Sequence, residues 1–247
     1  MKKLTLKAAG VTDIGCKESN QDAFVYKVAD VGEHYAGIFA VADGVGGLKK
    51  GELASALAIS NLNRWWQEQF MPNYHNQEYL VQSLTDVFKQ TNKELLMLAR
   101  MQGVKMATTL SVLLIHKGKL IIVHVGDSRI YRIWPGLRPG IVHMTEDHSC
   151  NITREINGRS VSKNVLTQCL GNKEAFRHYY RAGLIQKQEL YLVCSDGIYK
   201  TLVASEIMGI CRRYRKELPQ ACAALVEAAK SKGETDNLTA ILVGIRP

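Results

Sequence analysis

Apolar residues recur along this chain in two registers. Short runs such as YAGIFAVA, LIIVHV and LYLVC are apolar at almost every position and read as buried strands. Two longer segments, Gly51 to Phe70 and Gln77 to Met101, carry apolar residues at helical spacing, among them Leu57, Leu62 and Trp65 in the first and Leu80, Leu84, Val87 and Leu95 in the second. Further strands are predicted over Lys3–Val11, Asp22–Val28, Tyr35–Ala42, Thr108–His116, Lys119–Val125, Arg129–Ile133, Phe176–Ala182, Glu189–Cys194 and Leu238–Ile245. HKGK reads as a hairpin turn, and Gly126-Asp127-Ser128 as a second turn. Two shorter helices are expected near Ala204–Arg215 and Pro219–Lys230, with Pro219 in a first turn and Gly233 as the stop. The polar stretch Glu146–Lys163 has no clear periodicity. The pattern predicts an α+β layered domain with mostly antiparallel sheets, taken as one domain over residues 1–247.

Several strands share one oddity. The runs ending at Ala42, Val125 and Cys194 stop at or just before Asp43, Asp127 and Asp196, whereas Asp236 precedes the last run. In antiparallel neighbours the C-terminal end of one strand lies beside the N-terminal end of the next. These four carboxylates can therefore share one rim of a sheet, and Asp22, at a strand start, can join them. Crowded carboxylates must take up protons or bind a cation. An oxygen-only ligand set favours a hard divalent ion, magnesium or manganese. Gly44, Gly46 and Gly47 allow a close backbone approach and a sharp bend, and the Gly44 carbonyl is a candidate ligand. A lone Asp-Gly is ordinarily just a turn; recurrence at successive strand ends is what points to a metal.

Composition narrows the alternatives. The chain has 247 residues, 46% of them hydrophobic and 22% charged, with a formal net charge of +9. The densest basic segment, CRRYRKE, interleaves only Tyr214 and reads as a solvated helix face, so no nucleic-acid partner is expected. Six cysteines form no Cys-x-x-Cys pair, which argues against zinc and leaves free thiols as the expectation. No run is long enough for a membrane span, and Lys7 interrupts any signal-like core near the start, so a cytoplasmic protein is expected.

The motifs TDIGCKESNQDAF, FAVADGVGGLKKGELAS, MATTLSVLL, LIIVHVGDSRIYR, MTEDHS, NVLTQCLG, LYLVCSDGIYKTL and ETDNLTAILV occur in this order. Together they resemble the metal-dependent protein serine/threonine phosphatases of the 2C type, in their compact bacterial form. The resemblance implies a four-layer α-β-β-α sandwich of two antiparallel sheets flanked by helices. It implies two manganese or magnesium ions bridged by Asp43, with Gly44 ligating through its carbonyl and Asp196 and Asp236 holding the first ion. Asp22 would act on metal waters, and Asp127 with Asp196 would suit a third ion. A bridging water would attack phosphorus, without a phospho-enzyme. Lys17 stands where the family usually has a phosphate-binding arginine, and lysine supplies charge without a bidentate fork. Val45 stands where some members carry a histidine. The short segment between His148 and Asn164 corresponds to the substrate flap, where Arg154, Arg159 and Lys163 lie.

The expected partners are phosphorylated proteins, a bacterial serine/threonine kinase and its substrates, met by a monomer. Two rival readings share these motifs: a phosphatase-like domain that only binds and regulates, and a phosphohydrolase of small metabolites.

Overall fold

A computed structural model describes residues 4–45, 50–156 and 159–246. The chain opens with β1 (Thr5–Asp13), β2 (Asp22–Asp30) and β3 (Tyr35–Asp43). Helix α1 (Gly51–Trp65) runs through a π-helical turn (Trp66–Phe70) into the short α2 (Met71–Asn73), and α3 (Gln77–Gln102) follows. Then come β4 (Leu110–His116), β5 (Lys119–Val125), β6 (Arg129–Trp134), β7 (Gly140–His143), β8 (Ser149–Ile156), β9 (Arg159–Leu166), β10 (Tyr179–Leu184) and β11 (Leu190–Cys194). The chain closes with α4 (Asp196–Tyr199), α5 (Ala204–Arg213), α6 (Leu218–Ser231) and β12 (Leu238–Arg246).

Two five-stranded antiparallel sheets result, ordered β1-β12-β11-β6-β7 and β10-β5-β4-β3-β2. The apolar runs are explained by three cores. Along β3, Ala36, Ile38, Ala40 and Ala42 face α1 and α3, while the alternate residues Phe39 and Val41 meet the opposite sheet. Along β11, Leu190, Leu192 and Cys194 pack with α5 and α6, and Tyr191 and Val193 point between the sheets. Strands covered on both faces lose the apolar–polar alternation of a half-exposed strand. Helices, two sheets and helices thus make the four-layer α-β-β-α sandwich expected from the resemblance.

Local chemistry sets the boundaries. Asn76 caps α3 by accepting from the Tyr79 amide at 3.1 Å, and Gly103 closes it at φ 63°. The β4–β5 hairpin turns on Lys117 (φ 49°) and Gly118 (φ 71°), the two left-handed positions of a type I′ turn. The π turn lets Trp65, Trp66 and Phe70 all reach the core, with the Trp66 and Phe70 rings stacked at 4.2 Å between centroids. Among the described residues no helix is long and apolar enough to cross a membrane.

Two stretches of strand were not expected from the sequence. The aperiodic stretch Glu146–Lys163 is largely a hairpin, β8 paired to β9 from Ser149↔Leu166 to Ile156↔Arg159. It forms its own two-stranded sheet, and its described side chains are exposed or half-buried, with no apolar period to mark it. The short edge strand β7 was not expected either, and it adds to β6 at the sheet margin.

Phe39 is fully buried between the sheets. Phe39→Ala is expected to lower unfolding free energy by roughly 3–5 kcal/mol in urea titrations, because the cavity sits where neither sheet can close on it.

Candidate metal centre

Asp43 is placed by backbone pairing. It ends β3 directly opposite Asp22, the first residue of β2. Its own amide donates to Thr109 Oγ1 at 2.9 Å, and its carbonyl accepts from the Thr109 amide at 2.8 Å and from Thr108 Oγ1 at 3.0 Å. Thr109 Oγ1 lies 2.7 Å from Ser128 Oγ, which joins this seat to the turn carrying Asp127. Gly44 follows in a space no side chain would fit: a Cβ there would stand 2.4 Å from the Gly51 carbonyl oxygen and 2.9 Å from that of Gln21. Gly46 and Gly47 lie outside the described residues.

Asp127 occupies the turn between β5 and β6, Asp196 opens α4 after β11, and Asp236 precedes β12. Asp43, Gly44, Asp127, Asp196, Asp236 and Lys17 all line one cleft of about 1050 Å3. Asp22 sits behind this wall rather than in it. It is buried, with Oδ2 accepting from Ser195 Oγ at 2.7 Å and Oδ1 without a hydrogen-bond partner. Lys17 Nζ lies 2.9 Å from Asp236 Oδ1. The side chains of Arg154, Arg159 and Lys163 lie outside the described atoms, although their backbones run in β8 and β9.

The electrostatics follow from the crowding. Burial, and then the neighbouring Asp22, Asp196, Asp127 and Asp236, hold the Asp43 carboxyl well above the usual carboxylate range. Its residue surface is still partly open to the cleft, while the carboxyl itself is enclosed by protein atoms. Burial also pushes Asp22 up to about 6 and, with Asp196 and Asp147, Asp127 up to about 7. Asp196 is raised by burial against the pull of Lys200. Asp236 alone of the five is lowered: burial would raise it, but hydrogen bonds from Lys17 and Lys200 outweigh that.

The donor set suits a hard divalent cation. It is all oxygen, its charges raise one another's pKa values, and the buried Asp22 Oδ1 lacks a partner. As they stand, however, no three His, Cys, Asp or Glu side chains among the described residues are arranged to chelate one ion. Lysines occupy part of the donor set. Lys200 Nζ is 2.6 Å from Asp196 Oδ2 and 2.9 Å from Asp236 Oδ2, so ammonium groups hold three of these carboxylate oxygens.

Comparison with known proteins decides the family. The sequence profile of the Protein phosphatase 2C family matches residues 9–242. The chain belongs to the protein phosphatase 2C family. It is 28% identical over 252 residues to the protein phosphatase PhpP of Streptococcus pneumoniae, covering 95% of this chain and 96% of that one. The serine/threonine phosphatase of S. agalactiae superposes with a TM-score of 0.83 at 25% identity, over 97% of this chain and 99% of that one. The catalytic domain of the phosphatase PstP, in complex with two manganese ions, shares the fold with a TM-score of 0.77 at 24% identity, over 99% of this chain and 100% of that one.

Within this 2C-type phosphatase, sequence reasoning passed over three residues that build the site. Ser195 holds Asp22, and its Oγ also accepts from the Thr239 amide at 3.0 Å. Tyr199 donates from its hydroxyl to the Asp127 carbonyl at 2.7 Å, beneath the Arg129 guanidinium 3.6 Å from its ring centre. Lys200 was legible in SDGIYK, since a residue four places after Asp196 returns to the same helix face. Asn237, next to Asp236, pins the segment between β1 and β2. Its Oδ1 accepts from the Gln21 amide at 2.9 Å, and its Nδ2 donates to the Ile14 carbonyl at 2.8 Å and the Ser19 carbonyl at 3.1 Å.

A carboxyl whose folded pKa is raised opposes folding once it ionises, so its cost grows as pH climbs from 3.8 towards the folded value. The buried neutral histidines, His124 lowered to about 3 and His116 to about 4, work in the opposite sense and blur the wild-type profile. The comparison with a variant isolates the carboxyl. In chelator, Asp127→Asn is expected to gain on the parent by roughly 1–4 kcal/mol between pH 4 and pH 8. Urea titrations across that range measure it, and a pH-independent difference would disprove the coupling.

Proposed function

We infer that this chain is a metal-dependent phosphatase that hydrolyses phosphoserine and phosphothreonine in proteins. The observation that carries this reading is the convergence of Asp43, Asp127, Asp196 and Asp236 on one cleft, with Asp22 buried behind Asp43. Residues 1–247 act as one catalytic domain, placed in the cytoplasm as a monomer. Its partners are a serine/threonine kinase and that kinase's substrates.

Two manganese or magnesium ions, when bound, would supply Lewis-acid polarisation of the phosphoryl group and a water activated for attack. Asp43 would bridge them, with the Gly44 carbonyl beside it; Asp196 and Asp236 would hold the first, and Asp127 with Asp196 would hold a third. Thr108, Thr109 and the strand register keep Asp43 from turning away. Ser195 fixes Asp22 through Oδ2, and from behind Asp43 the Asp22 carboxylate would act on the metal waters. Attack forms one phosphorus–oxygen bond and breaks the bond to the serine or threonine oxygen, which takes up a proton as it leaves. Lys17, at the cleft wall, binds the phosphate as a point charge, and the β8–β9 hairpin receives the flanking peptide. The six unpaired cysteines take no part.

The purified chain is expected to release phosphate from a phosphothreonine peptide with added manganese and not in chelator. Asp43→Asn and Asp236→Asn should each lower kcat by at least about a hundredfold. Thiol alkylation should leave the rate unchanged. Turnover unaffected by chelator would refute the mechanism; manganese binding without turnover would favour a binding-only domain, and preference for small phosphate esters a metabolite hydrolase. Lys17→Arg is expected to lower KM by severalfold through bidentate phosphate contact, read from initial rates.

A further inference from the structure

Lys200 stands between two of the carboxylates assigned to the first metal. Its ammonium touches Asp196 Oδ2 at 2.6 Å and Asp236 Oδ2 at 2.9 Å, and Lys17 holds the other oxygen of Asp236 at 2.9 Å. The arrangement is built by the backbone. Asp196 opens the single turn of α4 and Lys200 caps its C-terminal end, the Lys200 amide donating to the Asp196 carbonyl at 2.9 Å. Gly197 seats that turn against the start of β12, where a Cβ would meet the Asn237 carbonyl oxygen at 2.1 Å. The side chains of Lys200 and Lys17 are 41% and 46% exposed, so each can swing towards solvent without breaking a core contact.

We propose that Lys200 is an internal counter-cation that competes with the divalent metal for Asp196 and Asp236, and so sets the metal affinity of this phosphatase. The inference rests on the metal-centre reading above. Its physics is competition between cations: an ammonium on Asp196 Oδ2 and Asp236 Oδ2 takes lone pairs a divalent ion would use and sets a like charge beside it. A divalent ion either displaces the ammonium or binds against its repulsion, and in both cases the observed affinity is weakened. The same pairing relieves repulsion while no metal is bound. Lys200 therefore trades metal affinity for stability of the metal-free protein.

The test is manganese binding by titration calorimetry on the full chain, with Lys200→Met and Lys200→Gln. Both variants are expected to bind manganese at least about tenfold more tightly than the parent. Without metal, both should melt at lower temperature, and saturating manganese should shift their melting upwards by more than it shifts the parent's. Lys200→Arg, which keeps the charge, should stay near the parent. Equal or weaker manganese affinity in Lys200→Met and Lys200→Gln, with the fold intact by circular dichroism, would overturn the proposal and leave the phosphatase reading standing. Failure of the parent and every variant to bind manganese would overturn the metal centre itself.

Discussion

The structure depends on a repulsion it does not avoid. Strand pairing sets Asp22 directly opposite Asp43, and the ends of β5 and β11 and the start of β12 bring Asp127, Asp196 and Asp236 to the same cleft. No flexible loop is free to carry the charges apart, because each acid sits on or within a residue or two of a strand whose partners are fixed. Hydrogen bonds to and from Thr108, Thr109, Tyr199 and Asn237 tighten the backbone around the acids, and the Ser195 hydroxyl donates to the carboxyl of Asp22. The unfavourable term is retained because the layers on either side hold it in place.

Those layers explain why the sandwich can bear it. Each central strand is buried on both faces, so shifting one by a residue would exchange its helix-facing and sheet-facing sets across two cores at once. Phe39 and Tyr191 fill the space between the sheets, and Trp65, Phe70 and Phe88 fill the space under α1 and α3. The register that seats the acids is therefore the register that packs the core. The lysines act later and more weakly. Lys17 and Lys200 are long, partly exposed side chains, able to leave Asp196 and Asp236 without disturbing a buried contact.

Much of this was legible in the sequence because burial on both faces leaves a plain trace. Lys119–Val125 is observed with the predicted bounds, and Asp22–Val28, Tyr35–Ala42 and Leu238–Ile245 each extend by one or two residues. The helix predicted to Phe70 is continuous to that point, though its last turn is π-helical. The strand predicted from Phe176 starts instead at Tyr179, where pairing to His124 begins. β8 and β9 escaped notice because a hairpin packed on neither sheet has no apolar period to display. Ser195 and Tyr199 escaped because their roles arise from tertiary contacts across 173 and 72 residues, which local spacing cannot reveal. Lys200 is less conspicuous because the strand-end pattern marks acids, and the base lies one turn further on.

The β8–β9 hairpin carries a wider consequence. Its ladder belongs to neither five-stranded sheet, and its stem is tied beside the cleft by the His148 amide donating to the Gly126 carbonyl at 2.7 Å and the Thr167 amide to the His148 carbonyl at 2.8 Å. Among the described residues, none of the three cores draws a side chain from β8 or β9. On the proposed function, the surface that receives the peptide is thus freer to vary than the packed strands that hold the acids.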